Sequence, residues 1–303
     1  MRTFELLAPA KINLGLRVTG VREDGYHLLD SWFVPLDLAD GLRLQVDPER
    51  DAGVSLELTG QHAKGIPNTM ENLAAQAAGR FLATAGQRAH VEIGLEKRIP
   101  AGAGLGGGSS DAAAVLRGLD RCFPGAVSRE ELSGVALGLG ADVPFFLDPR
   151  PARVRGIGET IDPLVDLPEL ALVVATPGIS LATADVYAEW DAVEGALTEN
   201  APRPTMPAAF GTGFDSGALE RLTKNDLEPP ASRLCPAITS LQSELRSLGA
   251  LAVGMSGSGS AVFGIFPDLS LAEIAREAGR FEMKGAAGFE AWSEVVRTVS
   301  SAA

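Results

Sequence analysis

The chain has 303 residues, a formal net charge of −13 and two cysteines. This length predicts two domains with sizeable cores, whereas the acidic balance argues against nucleic-acid binding, which needs clustered lysine and arginine. No apolar run approaches the roughly 18 residues of a membrane span, so we expect no membrane partner either.

The cysteines and the three histidines are scattered along the chain. Neither Cys122 nor Cys235 belongs to a CxxC pair, which argues against a disulfide framework and against a zinc site. Isolated thiols are typical of a reducing compartment, so we expect a cytoplasmic protein.

A long alternating strand is predicted at residues 4–18. After Pro9 its apolar side chains share one face, which we expect to be buried: Ile12, Leu14, Leu16 and Val18. Lys11 and Asn13 lie side by side on the opposite face. A turn around Gly25 follows, and further strands are predicted at residues 32–38, 42–46 and 54–58.

The first helix is predicted at residues 68–82, with Asn68 or Thr69 as its cap. The next segment places Val91, Ile93 and Leu95 on one face, which predicts a half-buried antiparallel strand.

A glycine-dense loop at residues 100–110 leads from this strand into an alanine-rich helix. Its backbone N–H groups and the positive end of the helix dipole form a cradle for an anion, most often phosphate. Gly102, Gly104 and Gly107 match the pattern GxGxxG, but a dinucleotide-binding fold has an apolar parallel strand before the turn. No P-loop lysine follows the glycines. A flexible linker is the remaining alternative, although linkers do not normally join a strand directly to a helix.

Ser128 and Glu131 form a predicted capping box for a helix that ends at Gly140. Asp142 follows as a lone carboxylate before an apolar run. Residues 148–155 contain three arginines and two prolines and predict a domain boundary.

Beyond this boundary a helix carrying Tyr187 and Trp190 is predicted, and Ser270 with Glu273 predicts the cap of a later helix. The further predicted segments are a strand at 170–175, a loop at 199–217, a helix at 237–248, a second glycine cluster at 254–260 and a strand at 261–266.

Three motifs occur in order: PAKINL at residues 9–14, PAGAGLGGGSS at 100–110 and GMSGSGS at 254–260. They resemble the three signatures of the GHMP small-molecule kinases. The GYH turn at 25–27, the run GADVPFF at 140–146 and NDLE at 225–228 are most similar to the branch that phosphorylates a CDP-linked polyol in the non-mevalonate route to isoprenoids.

The resemblance implies an α+β, two-domain GHMP kinase fold. Residues 1–155 would form a ribosomal-protein-S5-like ATP-binding domain, and residues 156–303 a C-terminal ferredoxin-like α/β-sandwich domain. It further implies ATP and Mg²⁺ as cofactors and a CDP-linked small-molecule polyol as the acceptor. We expect a monomer or weak homodimer.

The resemblance also assigns roles to residues of this chain. Asp142 would be the general base on the acceptor hydroxyl, and Lys11 would hold that hydroxyl and the carboxylate in register. Two further positions, Asn72 and Lys97, would lie on the adenine side of ATP. The phosphate-binding loop would comprise Gly102, Gly104, Leu105, Gly106, Gly107, Gly108, Ser109 and Ser110.

For the acceptor substrate, the resemblance places Asn13 near the hydroxyls and stacks cytosine between Tyr26 and Tyr187, with His27 at its polar edge. The second glycine cluster, at Gly257 and Ser258, would close over the transferring phosphate. The metal ligands stay open. Other GHMP kinases, acting on mevalonate, homoserine or a sugar, and a non-catalytic ligand sensor are the alternatives.

Overall fold

The computed structural model describes residues 1–164, 167–194, 216–279 and 291–300. These residues form two β-sheets with helices packed against them. Within the described ranges, none of the helices is long and apolar enough to cross a membrane.

The first sheet is built on two long antiparallel strands, β1 (Arg2–Val21) and β2 (His27–Asp47). The prediction of separate strands at residues 32–38 and 42–46 is wrong, because β1 pairs with both segments and makes β2 continuous. The other strands of this sheet are β3 (Gly53–Thr59), β4 (His90–Glu96), β5 (Ala152–Gly156) and β6 (Thr160–Pro163).

The strand order is β3-β4-β2-β5-β6, with β1 paired to β2 outside this path. Strand β4 runs antiparallel to β2, as its alternation predicts, and parallel to β3. The centre of the sheet is therefore β2, which connects the strand before the glycine-dense loop to the strand that carries Lys11.

Four helices belong to this half of the chain: α1 (Leu73–Ala85), α2 (Gly107–Cys122), α3 (Arg129–Leu139) and α4 (Val143–Phe146). The predicted caps of α1 at Asn68 or Thr69 are wrong. Asn72 is the cap, because its Oδ1 accepts a hydrogen bond from the Ala74 N–H at 2.9 Å. The capping box of Ser128 and Glu131 is confirmed at α3.

The second sheet contains β7 (Ala171–Thr176), β8 (Ala252–Met255), β9 (Val262–Phe266) and β10 (Trp292–Arg297). All pairs are antiparallel, in the order β10-β7-β9-β8. Helices follow β7 and β9 along the chain, so this half has the βαββαβ arrangement of a ferredoxin-like fold. The predicted fold class is confirmed.

Among the described residues, five helices accompany the second sheet: α5 (Thr183–Glu194), α6 (Ser216–Leu222), α7 (Glu228–Leu234), α8 (Ala237–Ser247) and α9 (Leu269–Ala278). The predicted cap of α9 at Ser270 is wrong. Asp268 caps this helix, because its Oδ1 accepts from the Leu271 N–H at 2.9 Å. Up to residue 215, the loop predicted at 199–217 lies outside the described residues.

Strand β1 connects the two halves. Its predicted buried side chains are all confirmed as buried, and they pack against the second sheet: Ile12 and Leu14 join a cluster with Phe263, whereas Leu16 joins one with Val173. The boundary predicted between residues 155 and 156 falls within β5, and β6 still pairs into the first sheet. We propose a division after Pro163 instead, where that sheet ends.

Candidate active site

A cleft of about 720 Å³ opens where β1, the glycine-dense loop and helix α5 meet. It is lined by both halves of the chain, so the fold must bring the two sheets together before the cleft exists. The sequence-predicted residues on its wall are Lys11, Asn13, Tyr26, His27, Gly104, Gly106, Ser109, Asp142, Tyr187, Gly257 and Ser258.

Lys11 lines this cleft and is only 3% exposed. Its ammonium donates to Asn13 Oδ1 at 2.5 Å and to the Gly104 carbonyl at 3.0 Å, and it lies 3.5 Å from Asp142 Oδ2. The ring of Phe33 lies below it, 4.8 Å from Nζ to the ring centre. Three acceptors for three N–H groups leave this buried charge fully paired.

Irregular pairing of β1 explains how Lys11 reaches the cleft. The register with β2 shifts between Pro9 and Lys11 and again between Asn13 and Gly15. In the same stretch the Lys11 N–H donates to the Leu105 carbonyl at 2.9 Å, so β1 is joined directly to the glycine-dense loop.

Asp142 is placed by the junction of two helices. Helix α3 ends at Gly140, and Asp142 is the residue before the short helix α4. The carboxylate makes no capping hydrogen bond to α4, and the residue is 31% exposed. It is therefore available to a ligand in the cleft while it remains paired with Lys11.

The amide of Asn13 is already used inside the protein. Its Oδ1 accepts from Lys11, its Nδ2 donates to Ser31 Oγ at 2.9 Å, and its backbone N–H donates to Ser256 Oγ at 3.1 Å. Asn13 is 2% exposed. The contacts support a role in holding Lys11, and contact of Asn13 with substrate hydroxyls stays a prediction.

The glycine-dense loop needs glycine for space as well as for conformation. Gly104 has φ +83°, and a Cβ there would lie 2.3 Å from the Ser256 carbonyl oxygen. Gly106 has φ +74°, and a Cβ there would lie 2.7 Å from the ring of Phe146. The loop thus packs too closely for side chains, which leaves its backbone N–H groups as its polar surface.

Helix α2 begins at Gly107, so residues 107–110 of the predicted loop form its first turn. The first N–H groups of a helix have no partner within the helix and lie at the positive end of its dipole. Ser110 Oγ is buried there without a hydrogen-bond partner among the described residues. The start of α2 therefore has donors that an anion could use, and phosphate binding by the loop stays a prediction.

Lys97 and Asn72 have side chains that bind other parts of the protein. The Lys97 ammonium contacts Asp40 and lies 2.6 Å from Asp111 Oδ2 on α2. Burial lowers the pKa of Lys97, but the two carboxylates outweigh it and raise the pKa above its ordinary value. Burial, with Asp40, raises the pKa of Asp111 to about 7 despite the opposing charge of Lys97. Adenine contacts at Lys97 and Asn72 stay predictions.

Aromatic side chains also line the cleft. Tyr26 is 61% exposed, and the imidazole of His27 stacks on Tyr187 with ring centres 4.4 Å apart. His27 Nε2 also lies 2.8 Å from Asp191 Oδ1 on α5. Burial, together with the charge of Asp142, raises the pKa of the Tyr187 hydroxyl, which stays neutral near pH 7. The predicted base-binding residues are thus brought together.

The second glycine cluster, at residues 254–260, also contributes to the wall of the cleft. Gly257 and Ser258 line the cleft, and Ser258 Oγ lies 3.0 Å from Thr183 Oγ1 at the start of α5. The Ala261 N–H donates to the Ala103 carbonyl at 3.0 Å, which joins this cluster to the first glycine loop.

The structure adds residues that sequence reasoning missed or left without a role. Asp191 faces His27, Ser256 contacts Asn13, and Asn225 holds the second glycine cluster. Asn225 lies in the NDLE motif and Ser256 in the GMSGSGS motif, so both carried a signal, whereas Asp191 had none. In the described part of the chain, no group of three His, Cys, Asp or Glu side chains could hold a metal ion.

The chain matches two family models. Residues 72–148 match the model of the GHMP kinases N terminal domain, and residues 213–285 match that of the GHMP kinases C terminal.

Curated relatives resemble the chain over most of its length. The 4-diphosphocytidyl-2-C-methyl-D-erythritol kinase of Thermus thermophilus is 46% identical over 285 residues, covering 91% of this chain and 93% of the relative. That of Granulibacter bethesdensis is 42% identical over 291 residues, covering 94% and 91%. A crystal structure of 4-(cytidine 5'-diphospho)-2C-methyl-D-erythritol kinase gives a TM-score of 0.72 at 43% identity, covering 97% of this chain and 99% of that one.

Proposed function

The chain belongs to the GHMP kinases and, within them, to the 4-diphosphocytidyl-2-C-methyl-D-erythritol kinases, and we propose that it transfers the γ-phosphoryl group of ATP to the 2-hydroxyl of 4-diphosphocytidyl-2-C-methyl-D-erythritol. It is a small-molecule kinase of the methylerythritol phosphate route to isoprenoid precursors. The observation that carries the proposal is the 3.5 Å ion pair of Lys11 and Asp142 in a cleft that is also lined by aromatic rings.

The proposed chemistry at the ion pair is proton removal and charge stabilisation. Phosphoryl transfer needs the acceptor hydroxyl positioned in line with the γ-phosphate, and help with its proton. Asp142 accepts the hydroxyl proton, and the new O–P bond forms as the bond to ADP breaks. Lys11, buried and fixed by three acceptors, stabilises the negative charge near the acceptor oxygen. The pairing and the exposure of Asp142 to the cleft support these roles.

The proposed ATP site is the first glycine loop with the start of α2. Backbone N–H groups bind the phosphates, and the packing of Gly104 and Gly106 holds those groups in place. Mg²⁺ is mostly held by substrate phosphates with few protein ligands, so a site without a carboxylate cluster fits it. The buried, unpartnered Ser110 hydroxyl and Ser109 are the side chains that would reach it. When bound, the ion neutralises charge on the β- and γ-phosphates.

The proposed cytosine site is the part of the cleft that is lined by Tyr26, His27 and Tyr187. A pyrimidine base binds proteins by stacking on aromatic rings and by hydrogen bonds at its edge. Tyr26 and Tyr187 provide the rings here and His27 the contact with the polar edge, and Gly257 and Ser258 line the same cleft. We further propose a cytoplasmic enzyme, because ATP is the phosphoryl donor and both cysteines are free and buried.

The experiment that tests the function is a coupled assay of ADP release with ATP, Mg²⁺ and the CDP-linked alcohol. We expect substrate-dependent ADP release and a new phosphomonoester on the alcohol. Release no greater than without the alcohol would refute the proposal. Phosphorylation of mevalonate, homoserine or a sugar in its place would assign another GHMP kinase activity.

A further inference from the structure

The segment that contains the NDLE motif is fastened to β1, the strand of Lys11. The Leu16 N–H donates to the Lys224 carbonyl at 3.1 Å, and the Asp226 N–H donates to the Leu16 carbonyl at 3.0 Å. The Asp226 carboxylate accepts from the Val18 N–H at 2.9 Å and pairs with Arg17 at 2.8 Å. Residues 224–226 therefore have a fixed position relative to the catalytic strand.

From this fixed position Asn225 grips the second glycine cluster. Its Nδ2 donates to the Met255 carbonyl at 2.8 Å and to the Gly257 carbonyl at 2.8 Å. Its Oδ1 accepts from the Leu227 N–H at 2.9 Å, which fixes the orientation of the amide. The two carbonyls flank one residue, so both donors of Asn225 act on the placement of Ser256.

Ser256 links Asn225 to the groups that hold the catalytic lysine. The residue is fully buried, and its hydroxyl donates to the Gly104 carbonyl at 2.8 Å while it accepts from the Asn13 N–H at 3.1 Å. The same Gly104 carbonyl accepts from the Lys11 ammonium at 3.0 Å. Ser256 therefore contacts two of the groups that hold Lys11.

We infer that Asn225 is a positioning residue of the kinase reaction, which acts through Ser256 and the Gly104 carbonyl on the place of the Lys11 ammonium. The inference rests on the proposed function, because it needs Lys11 in the reaction. Asn225 does not line the cleft, so it is not placed to contact a substrate there. Its loss should therefore change the rate of phosphoryl transfer and leave substrate binding nearly intact.

A merely structural asparagine is the competing interpretation, since an Asx turn alone would explain the bond to Leu227. It does not explain two donors on the carbonyls on either side of Ser256. The two interpretations differ in kcat: a structural residue changes stability, whereas a positioning residue changes kcat in a folded enzyme.

The test compares Asn225→Ala, Ser256→Ala and the double variant with a matched control, Thr298→Val. Thr298 is also buried in the second half of the chain, and its hydroxyl accepts from the Leu170 N–H at 2.9 Å, away from the cleft. The kcat value and the KM for each substrate are measured below the melting temperature of every variant, which circular dichroism determines.

We expect each of the two single variants to lower kcat by about 10- to 100-fold, since a small misplacement of catalytic groups has effects of this size. The kcat of the double variant should be no lower than that of the more impaired single variant, because both changes break one chain of contacts. Thr298→Val should lower the melting temperature and keep kcat.

An unchanged kcat in folded Asn225→Ala or in folded Ser256→Ala would overturn the inference, as would losses that multiply in the double variant. An equal loss of kcat in Thr298→Val would overturn it too. If Asn225→Ala does not fold, Asn225→Asp replaces it, since the carboxylate keeps the acceptor for the Leu227 N–H and removes both donors to the carbonyls beside Ser256. A wild-type enzyme without ADP release would instead refute the proposed function, so the two failures are distinguishable.

Discussion

Replacement of Asp142 by Asn tests the proposed base most directly. The substitution keeps the shape of the side chain but replaces one carboxylate oxygen with an amide group that cannot take up a proton. It also removes the 3.5 Å ion pair with Lys11, whose other two acceptors, Asn13 and the Gly104 carbonyl, remain. The catalytic lysine should therefore keep its position.

The structure sets the expected magnitudes. Asp142 is 31% exposed, but its partner Lys11 is buried, so loss of the ion pair should cost more than loss of a surface pair, about 1–3 kcal/mol of stability. A positioned general base contributes about 10²- to 10⁴-fold to the rate, which corresponds to about 3–5 kcal/mol of activation free energy. We expect kcat to fall by this factor in an enzyme that is still folded at the assay temperature, with a melting temperature lowered by several degrees.

The assay is ADP release at saturating ATP and CDP-linked alcohol, with the dissociation constant of ATP measured by calorimetry. Asp148→Asn is the matched control, because Asp148 is an exposed carboxylate paired with Arg150 just after α4. The control should keep the wild-type kcat, and both variants should bind ATP normally. A kcat for Asp142→Asn close to that of the wild type would refute the assignment of the base.

Three further predictions concern stability, the loop and the base site. Burial raises the pKa of Asp111 to about 7, so the wild type should lose stability as pH rises from about 4 to about 7. The melting temperature of Asp111→Asn should not show this loss, and an equal pH dependence of the two melting temperatures would contradict the raised pKa. Gly104→Ala brings a Cβ within 2.3 Å of the Ser256 carbonyl oxygen and should cost about 1–3 kcal/mol in denaturant unfolding; an unchanged midpoint would contradict the close packing. Tyr187→Leu should raise the KM for the CDP-linked alcohol roughly 5- to 150-fold, because stacking contributes about 1–3 kcal/mol per base. Tyr187→Phe keeps the ring and should leave this KM unchanged, so equal KM values in the two variants would contradict stacking.

Local patterns were sufficient to predict part of the site. The alternation of β1 placed Lys11 and Asn13 on one face, and the two side chains are in contact at 2.5 Å. The capping box at Ser128 is present because both of its hydrogen bonds lie within one turn of helix. These features depend on neighbouring residues, which is why sequence periodicity finds them.

Other features depend on residues far apart in the chain. Lys97 joins Asp40 on β2 to Asp111 on α2, and no local pattern connects the three positions. The predicted start of α1 was wrong because Asn68, Thr69 and Asn72 are all residue types that cap helices well, and local sequence does not distinguish them. In the folded chain Asn72 is the cap. The NDLE motif showed that Asn225 matters, but only the folded chain shows what its amide contacts.

The charges at the first glycine loop explain how an acidic protein can bind ATP. Lys11 is paired with Asp142, and Lys97 is paired with two carboxylates, so neither lysine adds net positive charge beside the loop. With a net charge of −13, the overall field repels a triphosphate. The attraction must then come from backbone N–H groups, the dipole of α2 and the Mg²⁺ that accompanies ATP. Glycine at positions 104 and 106 is thus needed because dipoles attract an anion only at short range, and a side chain there would prevent the close packing that fixes them.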